Sequence, residues 1–305
     1  MAITLRQLRY LQALAETLHF GKAARACAVS QPALSMQIKE LEDTLGVELV
    51  ERRRASVQLT DEGREVVRCA ARVLLDVQDI EAVGAKGQGP LGRRLTLGVI
   101  PTVAPYFLPR VLSELQRRYP SLEVHLQEAR TERLLEEVGR GVLDAAVLAL
   151  PVADERFRSA PILNDRFLLA VPSNREIPDP ARLVDLQPGS LILLEEGHCL
   201  RDQALDVCGP DASGLMNRFG ATSLATIMQM VAGGYGSTLV PEMAVPVEFH
   251  EGMNVRLTHF AGKEPARTIG LIWRKSVPRP GRFETLASAL SEIWSAARPQ
   301  MVEPA

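Results

Sequence analysis

Only four cysteines occur in 305 residues, too few for the disulfide framework of a small secreted domain. No apolar run approaches the ~20 residues that cross a bilayer. The opening Met1-Ala2-Ile3-Thr4-Leu5-Arg6-Gln7 turns polar before a signal-peptide core can form. A cytoplasmic chain without membrane contact is the expectation. Charge of one sign is also scarce: 35 Lys and Arg stand against 37 Asp and Glu, a net charge of −2, which argues against a wholly basic nucleic-acid binder. Through residue 60 the basic side chains outnumber the acidic ones by only two. Bulk charge therefore carries little weight, and the local run Arg52-Arg53-Arg54 carries more. Internal repeats and low-complexity tracts are absent. The length allows two or three domains with a substantial core.

Against these absences, the first sixty residues are dense in helix signals. Leu5, Leu8, Leu11 and Ala15 form one apolar helical face, His19-Phe20-Gly21 breaks it, and Lys22 to Cys27 reads as a small-residue helix. Ser30 stands as N-cap of a third helix, with Gln31 next and Pro32 in its first turn. Leu34, Ile38, Leu41 and Leu45 make its core stripe, Gly46 ends it, and Gln31, Ser35, Gln37 and Lys39 lie on its other side. Val47–Val50 and Val57–Leu59 then read as two strands with Arg52-Arg53-Arg54 at their tip. Thr60 to Arg64 begins a long helix in which Val66, Ala70, Val73, Val77 and Ile80 alternate steps of four and three, a seam for a partner helix. Dimerisation is expected there.

Gly84 through Arg94 reads as a linker. Beyond it, strand-like runs (95–100, 122–126, 145–150, 167–171, 191–194, 238–240 and 268–273) alternate with helical ones (107–119, 131–140, 223–232 and 283–294). Such alternation implies parallel-sheet α/β architecture, arranged as two lobes with a cleft between them. Gly233-Gly234-Tyr235-Gly236 follows a helix and precedes a strand, the reverse of a phosphate loop, and is expected to end the helix.

The chemistry gathers at Gly197-His198-Cys199-Leu200-Arg201-Asp202-Gln203, with Cys208 nine positions after the first cysteine. A thiol reacts as its thiolate, which cationic neighbours favour. On a continuous helix nine positions span roughly 13 Å, whereas a disulfide needs Cα atoms about 4.4–6.8 Å apart. If the segment is helical when reduced, a bridge between these two must unwind it. Two ordinary buried thiols are the commoner reading on spacing alone. Cys27 and Cys69 read as packing residues. His198, Cys199 and Cys208 fit no common zinc spacing, so neither metal nor cofactor is expected.

The run Phe20-Gly21-Lys22-Ala23-Ala24, Val29-Ser30-Gln31-Pro32-Ala33-Leu34-Ser35 and Leu41-Glu42 resembles the winged helix-turn-helix of LysR-type transcriptional regulators. Leu45-Gly46-Val47-Glu48-Leu49-Val50-Glu51-Arg52 and Leu59-Thr60-Asp61-Glu62-Gly63 continue the match. Ile100-Pro101-Thr102 with Pro105-Tyr106 and Leu108-Pro109 is similar to the start of that family's effector domain. The Gly197–Gln203 run with Cys208, and Arg267-Thr268-Ile269-Gly270-Leu271, resemble its peroxide-sensing OxyR branch.

This resemblance implies a winged helix-turn-helix over 1–60, a linker and dimerisation helix with hinge over 61–90, and a redox-sensing regulatory domain over 91–305. That domain would be periplasmic-binding-protein-like, with lobe I about 91–163 and 268–305 and lobe II about 164–267. The resemblance implies Cys199 as the thiol that hydrogen peroxide oxidises and Cys208 as the resolving thiol. It places Thr102, Thr131, His198, Arg267 and Asp202 around the peroxide. Ser30, Gln31, Pro32, Ser35, Gln37, Lys39 and the three arginines would face promoter double-stranded DNA. Implied partners are RNA polymerase, glutaredoxin or thioredoxin as reductant, and further copies of the chain as homodimer or homotetramer.

Two rivals stand beside this reading. One is a regulator of the same fold that binds a small organic effector in the cleft. The other is a thiol peroxidase, which would leave the DNA-binding domain unexplained; a regulator rather than an enzyme is expected. Phosphate contacts supply affinity with little sequence information. Replacing Arg53 and Arg54 with Ala should therefore weaken binding to all DNA sequences and flatten its salt dependence. Unchanged binding across a salt series would remove the hairpin from the DNA interface.

Overall fold

The computed structural model describes residues 2–53, 56–84, 89–209, 212–262, 264–277 and 279–296, in two compact units, Met1–Lys86 and Gly87–Ala305. In the first, α1 (Leu5–Thr17), α2 (Phe20–Ala26) and α3 (Gln31–Leu45) precede a hairpin of β1 (Val50–Arg53) and β2 (Ser56–Leu59), followed by the long helix α4 (Asp61–Gly84). Side chains at the helix starts satisfy the orphan backbone N–H groups there. Thr4 and Gln7 form a reciprocal capping box on α1. The residues that read as a break before α2 are its cap: His19 Nδ1 accepts from the Gly21 and Lys22 amides at 3.0 and 3.3 Å, so the helix begins at Phe20. Ser30 Oγ accepts from the Ala33 amide and caps α3.

Leu11, Leu14, Phe20, Leu34, Ile38 and Leu41 close the core of this unit. Glu42 then fastens α3 to the hairpin, its Oε1 accepting from the Leu49 and Val50 amides at 2.8 and 3.1 Å. β1 starts at Val50 rather than at Val47. Arg52 and Arg53 pair with Val57 and Ser56 in the ladder, Arg53 in its last pair at the tip as expected, and Arg54 lies outside the described residues. On α4, Ala70 and Leu74 pack with Leu8, while Val73 and Ile80 of the expected seam are exposed. Cys69 is exposed rather than packed, with Arg72 Nη2 3.3 Å from its sulfur.

The second unit comprises β3 (Arg94–Val99), α5 (Ala104–Arg118), β4 (Glu123–Glu128), α6 (Thr131–Gly139), β5 (Ala145–Leu150), β6 (Phe157–Pro172), β7 (Leu191–Leu194), α7 (Cys199–Cys208), α8 (Ala212–Leu215), β8 (Met216–Ala221), α9 (Leu224–Ala232), β9 (Thr238–Pro241), α10 (Val245–Glu248), β10 (Val255–Thr258), β11 (Ala266–Arg274) and α11 (Pro280–Ala296). Strands β3, β4 and β5 are parallel. However, β11 runs antiparallel to β5 and β6, and β9 and β10 run antiparallel to β6. The sheet is therefore mixed rather than parallel, in the order β10-β6-β11-β5-β3-β4 with β9 also on β6.

Two α/β lobes result, joined by β6 and β11. Up to Arg166, β6 pairs with β11; from Phe167 on it pairs with β9 and β10. Asp165 and Arg267 face each other at this crossing. In the second lobe β7 pairs in parallel with β8, and Leu191 bridges to Ser237. Gly233 caps α9 as expected, its amide donating to Gln229 O.

Gly63, on the first turn of α4, tests how closely the hairpin approaches that helix. A Cβ there would sit 2.1 Å from the Leu49 carbonyl oxygen, an atom fixed by the hairpin backbone. Alanine favours a helix over glycine by about 1 kcal/mol, but overpacking costs about 1–3 kcal/mol and a backbone clash falls at the upper end. Gly63→Ala should lower the thermal midpoint of the Met1–Lys86 unit. A rise in that midpoint would show that α4 and the hairpin can move apart freely.

Candidate functional site

The cysteine pair brackets one helix. Strand β7 delivers the chain to Glu195–His198, and α7 runs from Cys199 to Cys208. Both thiols are free; Cys199 is half-buried and Cys208 buried. Cys199 is the first helical residue, at the end where unsatisfied N–H groups favour negative charge. Burial pushes the Cys208 thiol up. The continuous helix keeps the two Cα atoms roughly 13 Å apart, so the sulfurs cannot join while α7 stays wound.

Little holds α7 in that form. His198 provides no side-chain cap, ten residues are marginal for a helix in isolation, and only Leu200, Ala204 and Cys208 are buried along it. Arg201, adjacent to the thiol in sequence, donates Nη1 to the Leu194 carbonyl at 3.0 Å and so pins the first turn to β7.

Thr102 and Thr131 come from the other lobe, just beyond the carboxyl ends of parallel strands β3 and β4, where α/β folds place ligands. Arg130 links this edge to the thiol loop, donating Nη1 to the Glu196 carbonyl at 3.2 Å. Gly197 permits the approach: its φ is +85°, and a Cβ there would lie 2.9 Å from Arg130 Nη1.

Three buried polar atoms on these segments have no hydrogen-bond partner: Thr131 Oγ1, His198 Nε2 and Gln203 Oε1. An unsatisfied buried polar group costs about 1–3 kcal/mol, and this set offers a small polar molecule both donor and acceptor positions. Gln203 was part of the sequence motif without a role; its one signal there is its place four residues after Cys199, on the same helix face.

Thr102 is buried and already engaged. Arg267 Nη1 donates to its Oγ1 at 3.2 Å and Nη2 to its carbonyl at 3.1 Å, leaving the hydroxyl proton free to donate. Arg267 Nε in turn donates to Asp165 Oδ2 at 2.8 Å, both side chains 1% exposed. The Asp165 carboxyl, raised by burial against the opposing pull of Arg267 and the Met243 amide, is a member of this cluster that the sequence did not flag. Asp202 is exposed on the first turn of α7.

His198 differs from expectation in its charge. Burial first, then the Arg130 guanidinium, push its imidazole below the usual value, with Glu195 opposing. It is neutral near pH 7, a hydrogen-bonding group rather than the cation expected to favour a thiolate. Among the described residues no group of three His, Cys, Asp or Glu side chains is placed to hold a metal.

In the first unit, Ser30, Gln31, Pro32 and Lys39 are exposed at or along α3, with Ser35 and Gln37 half-buried. Gln37 Nε2 donates to Glu40 Oε2 at 2.6 Å, which turns it along its own helix. Met36, 57% exposed, shares the open face and escaped the sequence reading because methionine carries no polar signal.

Comparison with known proteins extends the geometry. Residues 5–64 match the family model for the bacterial regulatory helix-turn-helix protein of the lysR family, and residues 88–295 match the LysR substrate binding domain. The chain is 42% identical over 293 residues to the DNA-binding transcriptional dual regulator OxyR of Escherichia coli, covering 94% of this chain and 95% of that one. A full-length OxyR cysteine variant from Pseudomonas aeruginosa superposes with a TM-score of 0.80 at 35% identity over 99% of both chains. A hydrogen-peroxide-bound OxyR cysteine variant from Corynebacterium glutamicum gives a TM-score of 0.65 at 36% identity, covering 97% and 94%. With both of its units matched in order and a thiol helix at the lobe junction, the chain belongs to the LysR family of transcriptional regulators, in the OxyR branch.

Proposed function

We propose that this DNA-binding regulator senses hydrogen peroxide by oxidation of Cys199, and that Cys208 then closes a disulfide that unwinds α7. The observation that carries the reading is the cysteine pair at opposite ends of one weakly capped helix, flanked by buried polar atoms without partners. The Cys199 thiolate attacks one peroxide oxygen; the O–O bond breaks, giving sulfenic acid and a hydroxide that takes a proton to become water. Thr102 and Thr131 hydroxyls, neutral His198 and Gln203 hold the peroxide for that attack, while Arg267 holds Thr102. Asp202 faces solvent and takes no part in peroxide binding. Attack of the Cys208 sulfur on the sulfenic sulfur forms the S–S bond and expels water.

Each peroxide molecule thus consumes the reduced protein once, and a thiol reductant such as glutaredoxin or thioredoxin restores it. On DNA, the open face of α3 reads promoter bases while Arg52, Arg53 and Arg54 meet phosphates. The exposed Val73 and Ile80 on α4 support pairing with a second copy, and two such dimers form the tetramer that engages RNA polymerase. Repacking around α7 changes the spacing within that assembly, as a two-state switch requires.

Reduced protein treated with about one equivalent of peroxide should yield a Cys199–Cys208 cross-linked peptide by mass spectrometry. Cys199→Ser should abolish that product, and Cys208→Ser should leave a sulfenic acid trappable at Cys199. Free thiols at both positions after treatment would refute the assignment.

The neutral state of His198 carries its own pH signature. Because its folded pKa lies below the ~6.5 of an unfolded chain, the imidazole contributes stability above about pH 6.5 that is lost as pH falls through the folded value. The thermal midpoint of the reduced protein should drop more steeply between about pH 7 and 5.5 than that of His198→Gln. Parallel slopes would mean that the imidazole is solvated.

A further inference from the structure

At the end of the second lobe the chain leaves β6 at Pro172 and loops back against β10. Two arginines converge there. Arg256, on β10 opposite Val171, donates Nη2 to the carbonyls of Arg175 and Ile177 at 3.1 and 2.9 Å. Arg175 donates Nη1 to Ser237 Oγ at 3.5 Å. Neutral oxygens thus hold both guanidiniums, and no carboxylate among the described residues forms an ion pair with either. Arg256 Nε and Arg175 Nη2 are buried and hydrogen-bonded to nothing. Two other arginines in this unit do have carboxylate partners, Arg166 with Glu242 and Glu264 and Arg267 with Asp165.

Partly desolvated like charges beside unsatisfied donors are costly unless an anion joins them. The two arginines line an open, shallow groove with Ser173, Glu176, Ile177 and Pro178. Glu176 is exposed and pairs with neither arginine, so the groove keeps an excess of positive charge. From Asp165 to Pro172 along β6 is roughly 23 Å, which sets this groove apart from the Arg267 cluster. The geometry points to a binding site for a small oxyanion, a carboxylate or phosphate group clasped between Arg175 and Arg256 with the Ser173 hydroxyl beside it. The assignment does not depend on the peroxide reading.

Isothermal titration of the full-length reduced protein with citrate and, separately, with inorganic phosphate tests it, against chloride at matched ionic strength. Saturable binding of at least one of the two is expected, weakened tenfold or more by Arg175→Gln. Citrate alone binding would assign a carboxylate ligand, and phosphate alone a phosphate. Arg256 also secures the loop, so Arg175→Gln, whose side chain gives up one long hydrogen bond, is the primary variant. Ser173→Asp is the second, since a carboxylate supplied in place should also abolish anion binding while leaving the thermal midpoint equal or higher. Absence of binding beyond chloride, or binding unchanged in Arg175→Gln, would overturn the site. If Arg175→Gln weakened promoter binding while neither anion bound, the groove would be a nucleic-acid contact and the proposal would fail.

Discussion

The buried pair of Arg267 and Asp165 fixes the geometry on which the rest of the regulatory unit depends. It sits where β6 and β11 leave one lobe for the other, and its outer contacts reach both. Asp165 Oδ1 accepts from the Met243 amide at 2.9 Å on the second-lobe side, while Arg267 grips Thr102 at the mouth of β3. Burying two charges gains little stability over an apolar pair. Its value here is placement, because both Asp165 oxygens and all three Arg267 nitrogens are engaged, Nη2 with Met243 Sδ as well as the Thr102 carbonyl. Removing either member would leave the other charge buried alone, a loss of about 3–5 kcal/mol.

Rigidity at the crossing makes compliance at α7 useful. The sensor helix has one buried stripe, no side-chain cap at its start, and a glycine at its end. Burial of Leu200 contributes about 1.5–3 kcal/mol, and peroxide reduction by thiols is downhill enough to exceed such a sum. The same burial that raises the Cys208 thiol keeps the resolving sulfur protonated and shielded while the helix is intact. In the proposed switch, disulfide closure therefore waits on local unwinding, which would couple the second chemical step to the change of shape.

Much of this was legible in residue order, and what was not has physical causes. Ser30, Pro32 and Gly46 bound α3 because caps are local chemistry, and β5 and β7 stand out as uninterrupted apolar runs. The first half of β6 was missed because Arg158, Ser159, Asn164, Asp165 and Arg166 interrupt its apolar pattern. β8 was missed because Asn217, Arg218 and Gly220 weaken its strand signal. Asp165 carries no sequence signal at all: its importance comes from a partner 102 positions away. The motif did locate His198, but its charge state follows from burial and Arg130, which only the folded structure brings together.

Chemistry at one sulfur can alter a whole unit only if the sulfur's loop touches more than its own lobe. Arg130 supplies that touch. Its guanidinium reaches across to the Glu196 carbonyl and lies against Gly197, its charge contributes to keeping His198 neutral, and its backbone positions Thr131 at the start of α6. In the proposed switch the loop could not follow an unwinding α7 without disturbing that carbonyl, and the clasp between lobes would be lost along with the environment of His198 and Thr131. Oxidation in that switch would remove the geometry that favoured it, so reduced and oxidised states would differ in lobe contacts as well as in sulfur chemistry. Arg267 and Asp165 lie off this path, at the crossing of β6 and β11, and give the proposed change a fixed joint to work against.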